Sequence, residues 1–130
     1  MKNIYSIWQP LDGLSGRLFV ESLEDKDDGL IVILRQPKET SSRRLKIVFD
    51  PYIAYKNMDE SYRSRTFSEK GGFRNSLNLV ANSSWFEWLQ AESQGYYEFK
   101  NLLHYAIITD ADFIDVLSEF PPAVNWIDCP

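Results

Sequence analysis

The chain has one histidine, His104, and one cysteine, Cys129, and these are the residue types best suited to base, nucleophile or metal chemistry. A catalytic histidine needs a nucleophile and an orienting group within hydrogen-bond reach. No Gly-x-Ser-x-Gly elbow is present to offer a serine, and His104 lies inside a strand-like run. It reads as a structural histidine bonded to a neighbouring carboxylate or to backbone. His104 and Cys129 stand 25 positions apart and cannot by themselves make a zinc site. Cys129, next to the C-terminus, reads as an incidental thiol. Asp25-Lys-Asp-Asp-Gly29 superficially resembles a calcium loop, but the sixth position is Leu30 and the twelfth is Gln36, where Gly and Glu are required. Gly13-Leu-Ser-Gly16 and Gly71-Gly72 match no phosphate-binding loop. A glycosidase-type carboxylate pair needs only geometry, and nothing in the order of residues singles one out. The densest polar stretch is Tyr55 to Arg63. Asp59, Glu60, Arg63 and Arg65 suit a surface ion-pair network there. Alternatively, Arg63 reaches a carboxylate on the sheet, such as Asp115. With His104 added, the predicted structural polar cluster is Asp59, Glu60, Arg63 and His104. No catalytic residue, metal ligand or cofactor is predicted, and the chain is expected not to be an enzyme.

The elements that position these groups follow from periodicity. Leu18–Leu23 and Leu30–Leu34 are rich in strand formers and flank the polar segment ending in Gly29, which predicts a hairpin. Leu45, Ile47 and Phe49 alternate with Lys46, Val48 and Asp50 in a third strand that Pro51 ends. Tyr52–Tyr55 reads as a short fourth strand, and Phe73–Val80 as another after the Gly71-Gly72 turn. Asp59 to Phe67 tolerates helix, but its pattern is weak. One firm helix spans about 84–94. Ser84 is placed as its N-cap, Glu87 completes a capping box, and Gly95 suits a left-handed C-terminal cap. Trp85, Trp88 and Leu89 form an apolar stripe expected to face the core. Leu102–Thr109 and Phe113–Leu117 read as a hairpin in which Ile108 faces Phe113. That register puts Tyr105, Ile107, Ile114 and Val116 on a buried face, and His104, Ala106, Asp115 and Leu117 on the other, with Ala106 opposite Asp115. A helix starting at Asp112 is the competing assignment, since Thr109 and Asp110 are cap types, although the β-branched residues favour strand. Val124–Ile127 is expected to pack back on the sheet after Pro121-Pro122. The sum is an α+β fold: a mostly antiparallel β-sheet with one firm α-helix packed on one face, forming a single domain over 1–130.

A length of 130 residues with 44% apolar side chains suffices for a core without staples. No apolar run approaches the roughly 18 residues of a spanning helix, so no membrane partner is expected. The N-terminus lacks the long apolar stretch and cleavage site of a signal peptide, and no internal disulfide can form. A cytoplasmic location fits. The formal net charge of −5 is unevenly spread. Residues 35–74 carry +5, whereas residues 87–130 carry one base, Lys100, against eight acids. One reading is an ordinary solvated surface. The other is an acidic C-terminal third that attracts a basic partner. Nucleic acid is not expected, because the overall sign is wrong and no binding motif accompanies the basic middle.

Phe49-Asp50, Ala54-Tyr55-Lys56-Asn57, Asp59-Glu60-Ser61 and Arg63 form a pattern that continues through Trp85-Phe86, Trp88-Leu89 and Glu92-Ser93. It is strongest in His104–Thr109, Ile114–Ser118 and Phe120-Pro-Pro122. Across roughly residues 45–127 this pattern resembles a small uncharacterised bacterial protein family akin to the immunity proteins of polymorphic toxin systems, of the contact-dependent growth inhibition and Rhs type. The N-terminal hairpin falls outside the match. The resemblance implies a cytosolic, non-catalytic inhibitor that occludes the active site of a cognate toxin domain. Many such toxins are nucleases with basic clefts, which an acidic surface would cover. Charge density places the partner-binding candidates at Glu92, Glu98, Asp110, Asp112, Asp115 and Glu119. The alternative is a small-ligand-binding domain or a carboxylate-based enzyme, which predicts a pocket lined by aromatics.

Overall fold

The computed structural model describes residues 3–37, 42–95 and 102–128, so Glu98 and Cys129 lie outside the described residues. Nine strands appear among them: β1 (Ile4–Ile7), β2 (Phe19–Lys26), β3 (Gly29–Arg35), β4 (Arg44–Phe49), β5 (Ala54–Asp59), β6 (Leu77–Ala81), β7 (Leu103–Ile108), β8 (Asp112–Ser118) and β9 (Ala123–Ile127). A 3₁₀ turn at Glu60–Arg63 leads into α1 (Ser64–Lys70), and α2 (Ser84–Glu92) follows β6. Every strand pairing described is antiparallel, and the strands form two sheets, ordered β1-β6-β7-β8-β5 and β2-β3-β4-β9. The architecture is thus mostly antiparallel β with short helices, built on two sheets rather than the one that periodicity suggests.

Alternation explains how the layers stack. In β3 the buried side chains are Leu30, Val32 and Leu34, and in β4 they are Leu45, Ile47 and Phe49, each set on one side of its strand. They form a single core with Leu77, Tyr105, Ile107, Ile114 and Val116 from the five-stranded sheet. The two sheets therefore face one another. The opposite side of the five-stranded sheet carries Val80, Ala106, Ile108 and Phe113, packed with Tyr5, Phe67 and Phe73. Phe67 of α1 meets Phe113 edge to face at 5.8 Å, and Trp85 of α2 meets His104 at 5.5 Å, so both helices lie over this second face.

Several expectations shift. Ile108 does face Phe113 and Ala106 faces Asp115, and the 110–119 segment is strand rather than helix. The fourth strand runs over Ala54–Asp59 instead of Tyr52–Tyr55, and the weakly patterned stretch after it holds the 3₁₀ turn and α1. The N-cap of α2 is Ser83, whose hydroxyl accepts from the Phe86 N–H, not Ser84. Glu87 then falls one position too late for a capping box. No residue of α2 is buried, and Trp88 is 54% exposed, so the aromatic stripe is only in part a core feature. The helix is short, and a cavity rather than packed side chains lies beside its first turn.

Candidate functional site

The register of the five-stranded sheet brings the polar groups together. Asn78, Ala106, Asp115 and Lys56 lie in one cross-strand row, and Val80, His104 and Leu117 in the next, with Tyr5 paired to Val80. Side chains at paired positions share a face, so His104, Asp115, Lys56 and Tyr5 all project toward the helices. Ala106, the smallest side chain of its row, leaves room above Asp115.

Asp115 is fully buried, at 0% exposure. Its Oδ1 lies 2.7 Å from His104 Nε2, and its Oδ2 accepts from Arg63 Nη1 at 2.7 Å. Arg63 comes from the 3₁₀ turn, and its guanidinium lies 3.8 Å from the Phe113 ring centroid. Burial by itself pushes the Asp115 carboxyl up. The hydrogen bond and charge of His104, with the charge and hydrogen bond of Arg63, outweigh burial and hold it below the ordinary aspartate value. An ionised carboxylate only accepts, so Nε2 of His104 carries a proton. On the other side of the ring, Nδ1 lies 2.7 Å from Ser83 Oγ, and in the neutral imidazole it accepts from that hydroxyl.

Ser83, His104 and Asp115 thus stand in the order found at nucleophilic sites. The surroundings give the serine another task. Its oxygen already accepts the Phe86 N–H at 3.0 Å as the cap of α2, and the residue is only 7% exposed. The chain of bonds ties the start of α2 to the sheet and to the 3₁₀ turn. This arrangement was illegible in the sequence, because Ser83 and His104 are 21 positions apart and no local motif marks them.

Above the network lies a cavity of about 570 Å³. His104, Arg63, Lys56, Tyr5 and Trp85 form its inner wall, and Arg65, Glu69 and Lys70 of α1 its rim. Lys56 is half-buried, with its ammonium 4.6 Å from the Trp85 ring centroid. Burial lowers the lysine below its ordinary value, and Asp115 only partly offsets this. Burial likewise raises the Tyr5 phenol, and the Asn3 side chain beside it partly offsets the rise. No sequence pattern assigns a role to Lys56, Tyr5 or Ser83, which become neighbours only through pairings across the sheet.

The predicted residues divide. Of the structural cluster, Arg63 and His104 meet through Asp115. Asp59 instead caps the 3₁₀ turn, accepting from the Ser61 hydroxyl at 2.7 Å and its N–H at 3.0 Å, which lowers the carboxyl. Glu60 donates its N–H to Ala111 O at 3.1 Å. Arg65 pairs with Glu69, not with the acids of the turn. Of the partner-binding candidates, Asp115 is corrected: it faces the covered side of the sheet and presents nothing to a partner. Asp110 is exposed and paired with Arg17. Asp112 sits directly opposite Asp59 across β5 and β8. Glu119 follows the far end of β8, roughly 20 Å from Asp112 at about 3.3 Å per residue. Glu92 is the exposed last residue of α2. The acids therefore form no single patch, but Asp59, Glu60, Asp110 and Asp112 gather at one end of the sheet.

Among the described residues no three His, Cys, Asp or Glu side chains are placed to hold a metal ion, and no helix is long and apolar enough to cross a membrane. No family model, no curated protein and no solved structure matches this chain, so the reading of the site rests on its geometry.

Proposed function

We propose that this chain acts by binding another protein: an immunity protein that neutralises a cognate toxin domain in the cytoplasm by covering its active site. The observation that carries this reading is the acidic end of the five-stranded sheet. Asp59 and Asp112 are directly opposed across two strands, with Glu60 and Asp110 beside them. Like charges directly opposite one another destabilise a sheet. Such a cost is expected where a basic partner supplies the missing countercharge and is steered in by the same field. Tyr62, 78% exposed, and the exposed Met58 stand next to these acids. An exposed tyrosine next to carboxylates in the chain has the composition of a binding hot spot. A basic partner, such as a nuclease domain with a cationic cleft, suits that surface better than nucleic acid does.

The Ser83–His104–Asp115 chain favours the rival reading, a carboxylate- or serine-based enzyme. Against it stands the commitment of the Ser83 oxygen to capping α2.

The test is co-expression with the product of the adjacent upstream gene. Co-purification of the two, and rescue of cells that express that product, is the expected result. A neighbouring gene product that this chain neither binds nor neutralises refutes the proposal.

A further inference from the structure

We propose that the cavity between α1, α2 and the five-stranded sheet binds a small dianion of the phosphate-monoester class, with Lys56 as its principal countercharge. This inference stands apart from the toxin-binding reading, which concerns the end of the sheet and not this cavity.

Four cations line the cavity: Lys56, Arg63, Arg65 and Lys70. Arg63 is matched by Asp115, and Arg65 by Glu69 at 3.1 Å. Lys56 and Lys70 have no carboxylate at ion-pair distance among the described residues. Two unmatched ammonium groups complement two negative charges.

Placement argues for a ligand over an ordinary solvated surface. Lys56 projects from a strand onto the covered face of the sheet and is half-buried, a costly position for an ammonium without a counter-ion. Its contact is the face of Trp85, which supplies attraction but no acceptor. The Tyr5 side chain lines the same cavity as an aromatic wall, with its hydroxyl buried. An anionic acceptor lodged beside Lys56 would supply the counter-ion that its half-buried ammonium lacks. The volume of about 570 Å³ lies within the roughly 300–1,000 Å³ of small-molecule sites and exceeds what a bare phosphate fills. Trp85 and Tyr5 flank the remaining space, which favours an organic ester over the free ion.

The experiment follows the isotopically labelled full chain by NMR while phenyl phosphate, inorganic phosphate and acetate are added in turn at matched ionic strength. Phenyl phosphate is expected to give saturable shifts at Lys56, His104 and the Trp85 indole. Inorganic phosphate should bind more weakly, and acetate should not saturate. Lys56→Met keeps the aliphatic stem against Trp85 and should weaken phenyl phosphate by about tenfold to a hundredfold, the effect of one lost charge-assisted hydrogen bond. Lys56→Arg should retain much of the affinity. Shifts that never saturate, an equal response to acetate, or unchanged affinity in Lys56→Met overturns the proposal. The wild-type titration decides even where the variant folds poorly. A single-stranded oligonucleotide, with one charge per phosphodiester, is expected to bind no better than acetate. Saturable oligonucleotide binding without a phenyl phosphate response overturns the small-ligand assignment.

Discussion

Arg63 and Asp115 are 52 positions apart in the chain and meet through a 2.7 Å hydrogen bond on the helix-covered face of the five-stranded sheet. Asp115 is the buried partner, and the Arg63 side chain is the more exposed of the two. The contact ties the 3₁₀ turn to β8, and His104 extends the tie through Ser83 to the start of α2. One carboxylate thus sets the position of both walls of the cavity. A buried ion pair is weak evidence for net stability, and its better-attested role is to select one arrangement among many.

Asp115→Asn tests that role. The amide oxygen can keep the Arg63 bond, but its NH₂ pairs with His104 Nε2 only if the imidazole switches tautomer, and Arg63 loses its counter-ion. Breaking one side of a buried pair costs about 3–5 kcal/mol, and a loss of that order in urea unfolding with an unchanged m-value is expected. Adding Arg63→Met should restore part of it, because the stranded charge is gone. A loss below about 0.5 kcal/mol, typical of surface positions, shows that the network does not hold the fold.

The same carboxylate predicts an acid limb. Its folded-state proton affinity is held below the ordinary value of 3.8. Stability from ionised Asp115 is therefore present above that value and is lost as pH falls beneath it. Urea midpoints of wild type and Asp115→Asn should converge as the pH is lowered through this range. A difference that stays constant down to acid pH counts against an ionised Asp115 in the folded protein.

Local patterns and long-range partners were not equally legible. The β7–β8 register is readable because Tyr105, Ile107, Ile114 and Val116 alternate within one short hairpin. The pairing of Arg63 with Asp115 is one of two readings that charge complementarity allows. Alternation also puts Asp115 on the face of His104, yet it cannot tell whether that face meets water or a helix. Counting Asp115 among surface acids failed for this reason. The division into two sheets depends on the β1–β6, β5–β8 and β4–β9 pairings, which join segments far apart in the chain and leave no mark on periodicity. The cavity is hidden in the same way, since β1 was not anticipated and Lys56 and Tyr5 are placed by β5 and β1.

Gly29 tests the hairpin that was anticipated. Its φ is +122°, and a Cβ there would lie 2.7 Å from Phe49 O and 2.9 Å from the Asp50 Cβ. Both atoms belong to the adjoining strand end, so relief requires the backbone to move. Gly29→Ala should cost about 1–3 kcal/mol from the backbone conformation alone, with the clash added to that. Thermal unfolding measures it, and an unshifted midpoint contradicts the geometry.

Asp112→Asn separates stability from binding. Asp112 faces Asp59 across β5 and β8. Its backbone N–H bonds to the Thr109 hydroxyl at 3.0 Å and is unaffected by the change. Removing one of two opposed charges relieves repulsion of about 0.2–1 kcal/mol, so the variant should be slightly more stable than wild type. Asp59 is the poorer choice, because its carboxylate also caps the 3₁₀ turn. If the acidic end receives a basic toxin domain, the same substitution slows association and makes it less sensitive to salt. Stopped-flow association at low and moderate salt, beside urea unfolding of the free protein, reads both effects. More stability with slower, less salt-dependent binding is the expected pair of results. Unchanged association kinetics with a measurable gain in stability would place the toxin elsewhere on the molecule.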